Sequence, residues 1–258
     1  MSLPPILYHY FRVPLPYAQT LALQERIHQI QLAARRTASH KDVLLLLQHR
    51  PVYTAGRRQT EDDVADERRR LTNMGADFVP TQRGGQLTYH GPGQIIGYPL
   101  VDTARWSPSM GVRDYVCRMQ KFLNLHLREA HGLEPSPSDN TGVFLSPAEK
   151  IASIGVQVRH RLTTHGFSLN VTREPLPWFE QIVACGLADV KAVSISTAKG
   201  TEVKVDQEIP GLVSRFGQLY ERDMAPLKTS REGDMGAAIL ALEEEAESLR
   251  AWAVSPRT

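Results

Sequence analysis

Cys185 and Lys150 are the side chains best suited to covalent chemistry. Cys185 stands beside Gly186, just past a short helix predicted around Trp178 to Val183, where a thiol can be reached. The thiolate is the nucleophile, and a free cysteine with a pKa of about 8.5 is mostly protonated at neutral pH, so it needs a base or a cation beside it. Lys150 opens an apolar run ending at Val158. In a regular strand it shares a face with Ala152, Ile154, Val156 and Val158, which aims the ammonium at the core, where a lysine becomes a usable base or proton donor. If the strand begins later, the amine reaches solvent at the sheet end, and the pattern leaves both arrangements open. Cys117, inside a long helical stripe, reads as a small packing residue.

The stretch Arg83-Gly84-Gly85-Gln86-Leu87-Thr88-Tyr89-His90-Gly91-Pro92-Gly93-Gln94 is the candidate binding surface. So many glycines exclude a helix interior and make a poor uninterrupted strand, but they let the main chain approach a ligand closely. Arg83 and His90 add polar groups that can orient a substrate; the plainer alternative is a surface turn between two strands. It is neither a GxGxxG loop nor a phosphate loop ending in Gly-Lys-Ser/Thr. Farther on, alternation puts His165, Phe167, Leu169 and Val171 on one face, which packs, and Gly166, Ser168 and Asn170 on the other, which can line a pocket. His165 on the packed face is therefore not taken as a base. His9, His28, His40, His49, His126, His131 and His160 show no ligand spacing, so no metal is expected.

These groups need a scaffold, and 258 residues suffice for one large domain with its own core. A net charge of +2 argues neither for nucleic acid nor for a membrane surface. Two cysteines make no disulfide framework and point to a reducing compartment. No run is long enough to span a membrane, no signal region is visible, and a soluble intracellular protein is expected.

Residues 6 to 13 read as a strand, and Leu23, Ile27, Ile30 and Ala34 mark an amphipathic helix. Val43 to Gln48 is a buried strand closed by a turn through residues 49 to 58, and 61 to 71 form a solvated helix. Ile95 to Val101 is a short strand, and Val112 to Ala130 a second long helix. Strands follow at 142–145, 150–158 and 162–171, the last two a hairpin turning at Arg159-His160-Arg161. A weak hairpin is expected over 190–206 and a last core helix through Leu212, Phe216 and Tyr220. The resulting class is α+β, a single domain with helices packed on mixed and antiparallel sheet. Residues 1–228 form the catalytic domain. Residues 229–258, with Glu243-Glu244-Glu245, form an acidic extension, a peripheral helix from Ala237 to Trp252 or disorder, outside the core.

The motif RGGQLTYHGPGQ at 83–94, Lys150-Ile151-Ala152-Ser153-Ile154-Gly155, His165-Gly166-Phe167 with Leu169-Asn170-Val171, and Cys185-Gly186 together resemble the lipoyl (octanoyl) transferase family, within the biotin and lipoate protein ligases. The resemblance runs over roughly residues 43 to 220. It implies a mixed sheet around a pocket, octanoyl-acyl carrier protein as donor, and as acceptor a lysine on a lipoyl domain of a 2-oxoacid dehydrogenase subunit or of the glycine cleavage H protein. It also implies Cys185 as acyl-thioester nucleophile, Lys150 as its proton partner, and Arg83 to His90, Ser153-Ile154-Gly155 and Gly166-Phe167-Ser168 as substrate-lining residues. Ala184 stands where many members have proline, Phe144 where tryptophan is common, and the extension has no counterpart in the compact bacterial forms. A eukaryotic origin implies mitochondria; otherwise the protein is cytoplasmic.

Moving an acyl group from sulfur to a lysine nitrogen makes an amide and is downhill, so neither ATP nor a cofactor is required. In water a Cys⁻/Lys⁺ pair lies below the neutral pair by nearly ~2 pKa units, about 2.6 kcal/mol, and burial opposes this. Backbone amides of the glycine-rich loop, Gly155 or Gly186 are the expected oxyanion donors. Three other readings remain: an ATP-dependent lipoate or biotin ligase, an amidotransferase between lipoyl domains, and a non-catalytic scaffold for acyl carrier protein.

Overall fold

Val43–Leu47 is a strand buried at all five positions. Leu44 and Leu46 enter one core while Val43, Leu45 and Leu47 enter another. Apolar side chains on both faces place such a strand in the middle of a covered sheet. The computed structural model describes residues 3–37, 39–60, 62–249 and 252–257. The first part of the chain runs β1 (Ile6–Tyr10), α1 (Tyr17–Ala34), β2 (Val43–Leu47), β3 (Val52–Ala55), α2 (Ala65–Asn73), β4 (Asp77–Pro80), β5 (Thr88–His90) and β6 (Gln94–Leu100). Helix α3 (Val112–His131) leads to β7 (Val143–Ser146), β8 (Glu149–Arg159) and β9 (Leu162–Asn170). The remainder is α4 (Leu176–Phe179), β10 (Lys191–Ala192), α5 (Ile195–Lys199), α6 (Val205–Tyr220), β11 (Met224–Pro226) and α7 (Gly233–Ser248).

The large sheet has the order β10-β8-β9-β6-β2-β1-β11, with β7 also paired to β8. Its strand pairs are parallel at the two ends and antiparallel through the middle, so the α+β class holds. Helices α3 and α6 cover one face and share a core with Leu44 and Leu46. Helices α1 and α7 cover the other with Val43, Leu45 and Leu47. A second sheet, β4-β3-β5, has its own core, in which Tyr89 lies parallel to Trp178 with centroids 5.3 Å apart. The β8–β9 hairpin turns through His160 and Arg161 at φ 52° and 66°, the paired positive values that a two-residue hairpin loop requires.

Four expectations fail. The turn read over 49–58 contains β3, because Val52–Ala55 is too short a run to stand out. In place of a hairpin over 190–206 there are a two-residue strand, β10, and the capped helix α5, whose Ser194 side chain accepts from the Thr197 amide. Cys117 is exposed on α3 and is no packing residue. The acidic extension is not outside the core: Met235, Ile239, Leu242 and Ala246 of α7 are buried against Leu23 and Ile27 of α1. Glu244 points away from the core while Glu243 and Glu245 flank the apolar stripe and bond His9 and Gln19, so the stripe at helical spacing outweighs the local charge. The helix expected over 237–252 is observed as Gly233–Ser248; Arg250 and Ala251 lie outside the described residues. Among the described residues, no helix is long and apolar enough to cross a membrane.

If α7 is core, Ile239→Ala lowers the unfolding free energy by about 2–4 kcal/mol. Urea unfolding monitored by circular dichroism measures this; a loss below about 0.5 kcal/mol would mark the helix as peripheral.

Candidate active site

The glycine-rich loop lies where the small sheet meets the large one. The Gly84 amide donates to the Val156 carbonyl at 3.1 Å on β8, and the Arg57 amide donates to the Arg83 carbonyl at 3.1 Å just beyond β3. Two side-chain-free positions permit this approach. A Cβ on Gly155 would stand 3.0 Å from the Gly84 carbonyl oxygen, and one on Gly56 would overlap the Gly85 carbonyl. On the far side, the Cys185 amide donates to the Leu87 carbonyl at 2.9 Å, which ties the thiol-bearing turn to the same loop.

Cys185 takes φ 57°, a left-handed conformation that a residue with a side chain adopts at a cost. Lys150 is the second residue of β8, because the strand begins at Glu149, and the amine is aimed inward with only 9% of the residue exposed. Its Nζ lies 3.6 Å from Cys185 Sγ and 5.3 Å from the centre of the Phe144 ring.

A narrow cavity opens beside the thiol. It is lined from the loop and β5 by Arg83, Gly84, Gly85, Thr88 and His90, from β8 by Ser153, Ile154 and Gly155, and from β9 by Gly166, Phe167 and Ser168. Leu87 and Tyr89 alternate away from it into the small-sheet core. Gln86 packs against Gly186 instead. Sequence reasoning missed Tyr17, Ile96, Tyr98 and His165, which also line the cavity. Alternation along β6 could have placed Ile96 and Tyr98 together; nothing local marked Tyr17, which arrives on α1. Alternation puts His165 on the packed face, but φ 59° in mid-strand breaks that alternation. Its ring therefore meets Tyr98 edge-on at 6.3 Å, while Phe167 packs on Phe122 of α3 at 5.2 Å. The free volume is about 40 Å³, against about 570 Å³ in an open groove past Leu145, Phe179 and Ala184. That groove contains neither Lys150 nor Cys185, so its size does not make it the site.

The cavity is wrapped in neutral polar groups. Burial pushes His49 down from 6.5 to about 4 and His165 down to about 3, and it takes His90 well below the usual value, helped by the neighbouring His49 and Arg83. His49 Nδ1 contacts the Leu15 carbonyl at 3.1 Å and must donate there, so Nε2 accepts from the Tyr98 hydroxyl at 2.7 Å. Burial likewise pushes the Tyr17 phenol up to about 12.

Away from the cavity, the fold brings His126 and His131 of α3 onto Glu208 of α6, a grouping that no sequence spacing disclosed. The three residues could hold a metal ion. Each imidazole Nε2–H donates to the same Glu208 oxygen at 2.7 Å. A zinc ion with bonds of about 2.0–2.1 Å holds its donors about 3.3 Å apart, so the observed spacing is that of a hydrogen-bonded clamp between the helices. Burial pushes the Glu208 carboxyl up, but the two imidazole donors outweigh it and hold it low.

A family model described as the lipoyl protein ligase A/B catalytic domain matches residues 16–217. An octanoyltransferase of Caldicellulosiruptor saccharolyticus is 36% identical over 207 residues, covering 79% of this chain and 84% of that protein. The mitochondrial octanoyl-[acyl-carrier-protein]:protein N-octanoyltransferase of Danio rerio is 34% identical over 206 residues, 80% and 88% of the two chains. Among solved structures, a putative lipoate protein ligase from T. acidophilum with bound lipoic acid superposes with a TM-score of 0.67 at 16% identity, covering 95% of this chain and 94% of that one. The fold is therefore that of the lipoate ligases. The chain belongs to the lipoyl (octanoyl) transferase family, and it is a transferase.

The neutral histidines carry a prediction with a fixed sign. Between pH 6.5 and 4 the unfolded chain binds protons that folded His49, His90 and His165 refuse, so stability falls as pH falls through that window. Each contributes a slope of up to about 1.4 kcal/mol per pH unit. Unfolding titrations at pH 7, 6 and 5 test this; equal stabilities would show that these imidazoles protonate freely.

Proposed function

We propose that the chain takes octanoyl from octanoyl-acyl carrier protein onto Cys185 as a thioester and passes it to a lysine of a lipoyl domain. The observation that carries this reading is the 3.6 Å contact between Lys150 Nζ and Cys185 Sγ beside a narrow cavity. In the first half-reaction the thiolate attacks the donor thioester, the bond from carbonyl carbon to pantetheine sulfur breaks, and the Lys150 ammonium protonates the departing sulfur. In the second, the neutral amine of the acceptor lysine attacks the acyl-cysteine, an amide forms, the bond from carbonyl carbon to Cys185 sulfur breaks to restore the thiolate, and Lys150 takes the one proton that the amine loses.

Of the backbone amides near the thiol, those of Gly84 and Cys185 are bonded to carbonyls at 3.1 and 2.9 Å, whereas the Gly186 bond to Val183 is long at 3.4 Å. The Gly186 amide is thus the readiest donor to an oxyanion. The acyl chain enters the narrow cavity at the thiol. The donor is supported by the chemistry of a thioester exchange and by the name of the Danio rerio relative. A lipoyl domain as acceptor is supported by the archaeal lipoate protein ligase of the same fold, described with its E2 lipoyl domain. The acceptors are the lipoyl domains of 2-oxoacid dehydrogenase subunits and the glycine cleavage H protein. Relatives include bacterial and mitochondrial proteins, so the compartment follows the host. ATP plays no part, and this separates the reading from a ligase on the same scaffold.

Incubation with octanoyl-acyl carrier protein and no ATP yields an octanoyl mass adduct on Cys185; dependence of the adduct on ATP would overturn the reading. Cys185→Ser loses nearly all turnover, because an alcohol does not supply the anion at neutral pH. Lys150→Arg keeps the charge but does not cycle the proton, and steady-state rates fall at least about a hundredfold; near-normal rates would remove Lys150 from the mechanism.

A further inference from the structure

We propose that Arg83 is a positioning residue of the transfer reaction: a fixed, buried positive charge that acts with Lys150 to hold Cys185 as the thiolate. The inference rests on the reading of Cys185 as the nucleophile. Arg83 is 6% exposed and lines the same cavity as the thiol. Its guanidinium donates through Nε and Nη2 to Thr54, through Nη1 to the Gly84 carbonyl at 3.1 Å, and through Nη2 to the Gln86 carbonyl at 2.9 Å. All of these acceptors are neutral oxygens. Only one of its five N–H groups is left over, so the head cannot turn to follow a substrate.

Among the described residues no carboxylate pairs with it, and none lines the cavity. A buried cation surrounded only by neutral partners is costly. It is tolerated where an anion forms beside it. Burial pushes Arg83 down, and the groups that can push it back are Tyr17, Cys185 and Tyr98. The two phenols do not ionise near neutral pH, since burial raises Tyr17 to about 12 and Tyr98 well above its usual value. That leaves the thiol. The charge also sits on the loop that receives the Cys185 amide at Leu87, so its place relative to the sulfur is set by the same hydrogen bonds.

The test is the pH dependence of iodoacetamide alkylation of Cys185 in the resting enzyme, without donor or acceptor, in a Cys117→Ala background because Cys117 is an exposed free thiol. Arg83→Met shifts the midpoint upward by about one unit, equivalent to about tenfold slower alkylation below it. Arg83→Lys keeps the charge without the planar fork and shifts the midpoint by less than half as much. An unchanged midpoint in Arg83→Met, or equal shifts in the two variants, overturns the proposal in favour of a purely structural role for the side chain. Should Arg83→Met fail to fold, Lys150→Met decides: with Arg83 acting, its midpoint stays below the ~8.5 of a free cysteine, and a midpoint at or above that value overturns the proposal. Because alkylation requires no turnover, a failure here is distinct from a failure of the acyl-cysteine reading, which continued octanoyl transfer by Cys185→Ser would show.

Discussion

The arrangement depends on two backbones passing without side chains between them. Where β8 crosses under the loop, Gly155 faces the Gly84 carbonyl, and where β3 ends, Gly56 faces that of Gly85. A methyl group on Gly155 would push the loop off the large sheet by a few tenths of an ångström, and one on Gly56 would push the same loop away from the end of β3. The small sheet's loop holds the Cys185 turn through Leu87, and the large sheet carries Lys150. Separation of the sheets would therefore appear directly as separation of sulfur from nitrogen. A contact of 3.6 Å between Lys150 Nζ and Cys185 Sγ tolerates little of that.

The parts legible in sequence were those whose information is local. The RGGQLTYHGPGQ run declares its conformation through its glycines and β8 declares its faces by alternation, although that alternation leaves Lys150 open between core and solvent until the start of β8 at Glu149 is known. What stayed hidden was set elsewhere. Tyr17 reaches the cavity because α1 begins there, which no window around residue 17 records. His165 defeats a parity argument through one backbone angle that its type does not advertise, since left-handed conformation is expected of glycine and the residue that follows is one. The His126–Glu208–His131 clamp joins two helices far apart in the chain, so no spacing rule could find it.

The misreading of residues 229–258 has a different cause. Composition and periodicity disagree there: three consecutive glutamates suggest a solvated tail, yet Met235, Ile239, Leu242 and Ala246 fall on one helical face and enter the core. This helix packs on α1, whose first residue is Tyr17. Beyond it, Trp252 lies 5.0 Å from the Arg50 guanidinium and the Arg257 amide donates to the Met74 carbonyl at 3.0 Å, next to β4 of the small sheet. The C-terminal segment thus touches both sheets whose contact sets the site.

The titratable groups around the cavity sort by what burial does to them. Imidazoles and phenols have a neutral form available near pH 7, and burial selects it, so His49, His90, His165, Tyr17 and Tyr98 present polar but uncharged surface. A guanidinium has no such escape, because its proton is held too tightly for burial to remove it. Arg83 therefore remains the permanent charge in a wall that is otherwise neutral. A hydrocarbon chain entering such a cavity meets no ion that it must strip of water, because the Arg83 guanidinium is already buried and hydrogen-bonded to neutral oxygens. The same desolvation that makes the wall hospitable to hydrocarbon strengthens the field of the one charge that it cannot neutralise, so the polarity of the cavity is set by a single fixed guanidinium in otherwise dry surroundings.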